Sequence, residues 1–198
     1  MRLFVAIDIP PDIVQQVETV KEKLAATKAH VRWVSPSQYH VTVKFIGDVE
    51  DARVPELLDR VERAAAQVPA FEVEVEGIDR LPEKGPARVI MSRILSPDNR
   101  MTKLHRLVDS AVGGMGLPLD TRALVPHLTL GRVRTNHGVN RLLRLVEKHD
   151  LDFFGSFLVT DVCVYRSTLG AGDNGTSRYD CLRRAPLHQT PVEENAQQ

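Results

Sequence analysis

Two histidine–threonine pairs carry most of the chemistry this sequence could perform. Residues 40–47 read His-Val-Thr-Val-Lys-Phe-Ile-Gly, and residues 127–133 read His-Leu-Thr-Leu-Gly-Arg-Val. Both segments have the β-branched and apolar composition that suits a strand, where successive side chains point to opposite faces. His40 and Thr42 therefore share one face, with Val41 and Val43 beneath them; His127 and Thr129 share another, above Leu128 and Leu130. Two such faces turned toward each other would surround one small pocket with two acid/base groups and two hydroxyl donors. In-line displacement at a phosphodiester asks for that set. An imidazole titrates near ~6.5, so one ring can start neutral as a base and the other charged as an acid. The hydroxyls can donate to the non-bridging oxygens, where charge gathers in the transition state. A bell-shaped pH–rate profile is expected; a flat one between about pH 5 and 9 would argue against the pair.

One His-x-Thr strand would be weak grounds, since both residues are common in strands and a structural histidine is the simpler account. The elements around the two copies repeat, however. Each is preceded by an amphipathic helix and followed by a helix, a strand, a loop and a strand. The histidines are 127 − 40 = 87 residues apart, and the strands opening at Phe71 and Phe157 lie at matching distances beyond them. Apolar stripes predict helices on Ile13–Leu24, Val54–Val61, Met101–Ala111 and Val139–Val146. Further strands are expected over Leu3–Ile9, Val31–Val34, Phe71–Glu76, Arg88–Leu95, Phe157–Tyr165 and Ser177–Leu182. This predicts an α+β fold by internal duplication: two pseudo-symmetric lobes, each a small antiparallel sheet with helices on its outer face, and a groove between them. The domain should span residues 1–185, with a polar, disordered tail over 186–198.

The bulk properties narrow the class. Lys plus Arg and Asp plus Glu both number 26, so the formal charge is zero, which opposes a broad electrostatic grip on long nucleic acid. The balance is uneven: residues 1–98 carry 13 − 16 = −3 and residues 99–198 carry 13 − 10 = +3. A small anionic ligand leaning on the second half would suit that skew, although chance also would. Cys163 and Cys181 are the two cysteines, without the Cys/His spacing zinc requires, and read as buried free thiols. Neither a signal peptide nor a membrane span is visible, so the chain reads as cytoplasmic.

Other residues divide between pocket and packing. A guanidinium at Arg132 could hold phosphate through two parallel hydrogen bonds. Its odd offset from His127 puts it on the wrong strand face unless Gly131 permits a bulge. Phe45 has the same parity problem and reads as core. Lys44 has the parity of His40 and either borders the pocket or is solvated. Tyr39 and Trp33 read as packing. Arg166 and Arg178, beside the Gly-rich loop 170–175, read as solvated, and His30, His105, His137, His149 and His188 receive no role.

The segments RLFVAIDIP, VRWVSPSQYHVTVKFIGDV and VPHLTLGRV resemble, in order and across residues 2–184, the two-histidine (2H) phosphoesterases, specifically the RNA 2',3'-cyclic phosphodiesterases first described as 2'-5' RNA ligases. The resemblance implies a metal- and cofactor-independent site that opens RNA 2',3'-cyclic phosphate ends, tRNA fragments among them, to 2'-phosphomonoesters. It implies His40 as general acid toward O3' and His127 as general base on water, though the symmetry of the motifs leaves these labels interchangeable. Thr42 and Thr129 would clamp the phosphate, and Arg132 matches a basic family position. The same residues would serve 2'-5' ligation in reverse. A monomer is the default, and the competing reading is an RNA- or nucleotide-binding module that kept the groove with little turnover.

Overall fold

The computed structural model describes residues 1–172 and 176–188. Among the described residues, nine strands and four α-helices follow one another along the chain. In order they are β1 (Arg2–Asp8), α1 (Pro11–Ala25), β2 (Val31–Trp33), β3 (His40–Asp48), α2 (Val54–Ala65), β4 (Phe71–Leu81), β5 (Val89–Leu95), α3 (Arg100–Gly113), β6 (His127–Val133), α4 (Val139–Val146), β7 (Phe153–Val159), β8 (Asp161–Thr168) and β9 (Arg178–Pro186). The expected α+β class is what forms. Pro11 opens α1, where its fixed φ suits a first turn, and Ile13, Val17, Val20 and Leu24 give that helix its buried stripe. Strand β1 is buried from Leu3 to Ile7, as an apolar central strand should be.

The strands run β7-β4-β5-β6-β3-β1-β8-β9, with β2 pairing onto β6. The pairings along this order are antiparallel. The His-x-Thr strands β3 and β6 occupy the middle, and each leads outward through three more strands. The two expected lobes are thus halves of one curled sheet, joined where Val41 pairs with Leu128. Its outer ends approach one another: the Leu187 amide donates to the Thr160 carbonyl, and residues 68–70 exchange backbone bonds with His188. Helices α2 and α3 cover the half that contains β3, while α1 and α4 serve the other half, α1 lying against β7.

Sequence repeat and spatial half do not coincide. The chain after β3 crosses to build β4 and β5 beside β6, and the chain after β7 returns to build β8 and β9 beside β1. The single strand expected over Phe157–Tyr165 is for this reason two strands: it breaks at Thr160, and its parts join opposite halves.

Two further expectations change. Cys163 and Cys181 are not free thiols but a disulfide, with Cα atoms 6.1 Å apart. The antiparallel pairing of β8 with β9 brings them together. The ordered chain also runs past 185, because Leu187 is buried at 3% exposure under the sheet edge. The remainder of the expected tail, residues 189–198, and positions 173–175 of the Gly-rich loop lie outside the described residues.

Candidate active site

Antiparallel register at the seam arranges the four motif residues. Val41 pairs with Leu128, and continuing that antiparallel register by one step either way turns His40 toward Thr129 and Thr42 toward His127. Facing Cβ atoms on adjacent strands lie about 5 Å apart, so the two imidazoles occupy opposite corners of a small quadrilateral, with a hydroxyl at each remaining corner. All four line one cavity of about 180 Å³, together with Gln38, Phe45, Arg32, Arg132 and Tyr179. Among the described residues, no carboxylate lines it.

Each imidazole is held the same way. His40 Nδ1 lies 2.8 Å from the Gln38 carbonyl, and His127 Nδ1 lies 2.8 Å from the Val125 carbonyl, two residues back in both cases. A carbonyl only accepts, so each Nδ1 carries a proton and donates it. Nε2 is then left in each ring as the atom that can take or give a proton to a ligand.

Bulges explain which other side chains reach the pocket. In β3 the pairing with β1 slips between Thr42 and Lys44, so Val43 and Lys44 both turn inward and Phe45 turns out beside Thr42. In β6 the pairing with β5 slips at Leu130, so Leu130 and Gly131 are both buried and Arg132 emerges on the face of His127. The condition on Arg132 is met, and the packing assignment of Phe45 is overturned: the residue is 59% exposed and lines the cavity. Gly131 is required here. A Cβ would sit 2.6 Å from Val31 Cγ1 and 2.8 Å from Trp33 Cε3, so β2 could not lie on β6. Trp33 packs, as expected.

The same slip decides Lys44. It neither borders the pocket nor meets solvent; it is 2% exposed, with Nζ 2.7 Å from Asp109, 2.9 Å from Asp120 and 3.0 Å from the Pro118 carbonyl. His105, given no role from the sequence, donates from Nδ1 to the Val43 carbonyl at 2.8 Å. Together they fasten the bulge, and they pin the irregular stretch 116–125 that supplies Val125 to His127.

The surroundings of the two rings differ. His40 lies 5.0 Å from the Phe4 ring and 5.4 Å, edge-on, from Tyr179. Burial pushes its pKa below the ordinary 6.5, opposed by the Gln38 carbonyl and the Asp8 charge, and helped by His127 and Arg132. Asp8, the cross-strand partner of His40, also accepts from Tyr165 and pairs with Arg184. Phe4 and Tyr179 escape the sequence reading because each is brought to His40 by pairing with a distant strand. Tyr39 is buried and donates to Glu18, away from the pocket. Arg166 and Arg178 are engaged by Asp180.

Residues 9–171 match the model of the 2'-5' RNA ligase superfamily. The RNA 2',3'-cyclic phosphodiesterase of Methanocaldococcus jannaschii is 30% identical, over 85% of this chain and 92% of that protein. The protein of the same name from Thermotoga maritima is 29% identical, over 85% and 88%. The fold superposes on TT0787 of Thermus thermophilus with a TM-score of 0.77 at 22% identity, covering 96% of this chain and 99% of that one. It superposes on E. coli LigT in apo form with a TM-score of 0.74 at 25% identity, covering 95% and 98%.

Proposed function

Since the chain belongs to the 2'-5' RNA ligase superfamily, we propose that it hydrolyses RNA 2',3'-cyclic phosphate ends to 2'-phosphomonoesters with protein side chains alone. The observation that supports this most is the pair of imidazoles, each anchored through Nδ1 to a carbonyl two residues back in the chain and both lining one cavity. In this reading His127 Nε2 takes a proton from water as the water oxygen attacks phosphorus. His40 Nε2 gives a proton to O3' as the P–O3' bond breaks, leaving the phosphate on O2'. Thr42, Thr129 and Arg132 hold the non-bridging oxygens, with Arg132 offering the bidentate geometry phosphate accepts well. The exposed Phe45 ring is placed to lie against the terminal base. With the 5'-hydroxyl of a second strand entering in place of water, the same groups in the same roles would form a P–O5' bond as the P–O3' bond breaks, leaving a 2'-5' linkage. Water at its own concentration favours hydrolysis.

The test is a short RNA with a 2',3'-cyclic phosphate end, incubated in EDTA, with the product resolved as 2'- or 3'-phosphate. A 2'-phosphate is expected. A 3'-phosphate would reverse which oxygen leaves, and loss of turnover on chelation would remove the metal-free part. Tight binding without product would identify a binding module in place of the enzyme.

A further inference from the structure

Two stretches of this chain carry no acidic residue, although the chain has 26 of them: residues 23–47 and residues 121–146. The fold lays these stretches side by side. Arg32 of β2 pairs with Arg132 of β6 at the rim of the catalytic cavity. Beyond that rim, the His30 amide donates to the His137 carbonyl at 3.1 Å, the Arg134 amide donates to the His30 carbonyl at 2.8 Å, and the His30 ring meets Thr135. The two stretches end together at a second cavity of about 440 Å³ between α1 and α4, lined by Lys23, Thr27, Arg141, Arg144, Leu145 and Lys148, with Ala26 beneath.

Several arginines elsewhere in the chain hold carboxylates: Arg93 holds Asp150, Arg166 holds Asp180, Arg183 holds Asp59, and Arg184 holds Asp8 and Asp161. No carboxylate lines the α1–α4 cavity, and no ion pair joins its four cations to an acid among the described residues. Arg141, Arg144 and Lys148 follow one another at helical spacings of three and four, where like charges repel and weaken a helix. From Arg141 in α4 to Lys148 in the turn that follows it, these residues span about 10 Å at about 1.5 Å per residue. Grouping cations this way in a chain of zero net charge costs stability unless an anion with several spaced charges occupies the groove. Cations at the C-terminal ends of α1 and α4 also suit the helix dipoles. That accounts for Lys23 and Arg144 singly, but not for four converging on one cavity.

We propose that the RNA strand leaves the catalytic cavity over the β2–β6 edge and lays its backbone phosphates in the α1–α4 groove, so that the preferred substrate is an oligonucleotide and not a cyclic mononucleotide. This rests on the hydrolase reading for the end of the strand, while the groove stands on its own geometry. Phosphate contacts of this kind fix position and supply affinity without reading sequence.

The test compares a 2',3'-cyclic mononucleotide with a cyclic-ended oligonucleotide of ten residues, in the parent chain and in the double variant R141E/R144E. The parent should show a lower KM for the oligonucleotide. In the variant that KM should rise about tenfold or more, and the slope of log affinity against log salt should fall by about 1.4, at about 0.7 for each single-strand phosphate the variant no longer neutralises. The kcat and both mononucleotide constants should stay unchanged, which also reports intact folding. An oligonucleotide KM unmoved by the double variant overturns the groove, as does a parent that treats both substrates alike. If neither substrate is turned over, fluorescence anisotropy with a fluorescein-labelled decamer separates the two ideas. Parent binding that the variant loses keeps the groove and removes the hydrolase; equal binding removes the groove.

Discussion

The β3 and β6 halves of the site begin as near copies and end as different instruments. Both hold an imidazole by the same Nδ1-to-carbonyl bond, both place a threonine two residues on, and both carry a bulge three to four residues on that turns the fifth residue into the cavity. What emerges there is Phe45 in one half and Arg132 in the other. What is buried at the bulge is a lysine with two carboxylates in one and a glycine beneath an indole in the other. In the proposed mechanism the matching positions give the reacting pair, and the difference at the bulge would set a face for the base against a face for the phosphate.

The largest effects should fall where the halves are still alike. His40→Ala and His127→Ala should each lower kcat/KM by about 10²–10⁴-fold, the range for losing one general acid or base, with little change in melting temperature. Because the two act on one displacement, the double variant should lose far less than the product of the single losses. A single variant that keeps full rate would break the symmetry argument at its root. Thr42→Val and Thr129→Val come next. Each removes one donor from the phosphate while keeping shape, and about 10²-fold in kcat is expected from either. Unequal losses measured by single-turnover kinetics would show that one half carries most of the developing charge.

Much of this is legible in the residues, and the limits have definite physical causes. The helices and most strands follow from apolar period, and the pairing of the two motifs follows from their repeated context. Strand parity, however, is a rule for unbroken pleats. Carried past Thr42, it assigns Phe45 to the core and Lys44 to the pocket face, and it fails at a slip that pairing with β1 imposes. For β6 the glycine at 131 hints at the corresponding slip; Val43-Lys44 offers no such hint. Phe4, Tyr179 and the disulfide depend on which strands become neighbours, and an interleaved duplication hides that from a linear reading.

Changes at the bulges should act mainly on stability and geometry. Lys44→Met removes a buried cation and leaves Asp109 and Asp120 facing each other. These carboxylates are partly solvated, so the loss should be about 2 kcal/mol, below the ~3–5 of a fully buried pair. Differential scanning calorimetry should show a drop of about 4–8 °C in Tm for a chain of this size. Gly131→Ala should push Val31 and Trp33 off β6 and displace Arg132 with them, raising KM more than it lowers kcat. An unchanged KM would mean that Arg132 does not hold substrate from this position.

The smallest effect is also the one that can assign roles. His40 titrates below 6.5 chiefly because Phe4, Tyr179 and the strand around it exclude water. Tyr179→Ala admits solvent to one side of the ring, relieving the penalty on the charged form, so its pKa should climb back toward the ordinary value. If His40 is the acid, its protonated form must be present for turnover, and activity is lost as pH rises through its pKa. The alkaline limb of kcat/KM should then move to higher pH in the variant while the acid limb stays. If His40 is instead the base, activity is lost as pH falls through the same pKa, and the acid limb is the one that moves. Two limbs that stay fixed would mean that burial by Tyr179 does not set the proton affinity of His40.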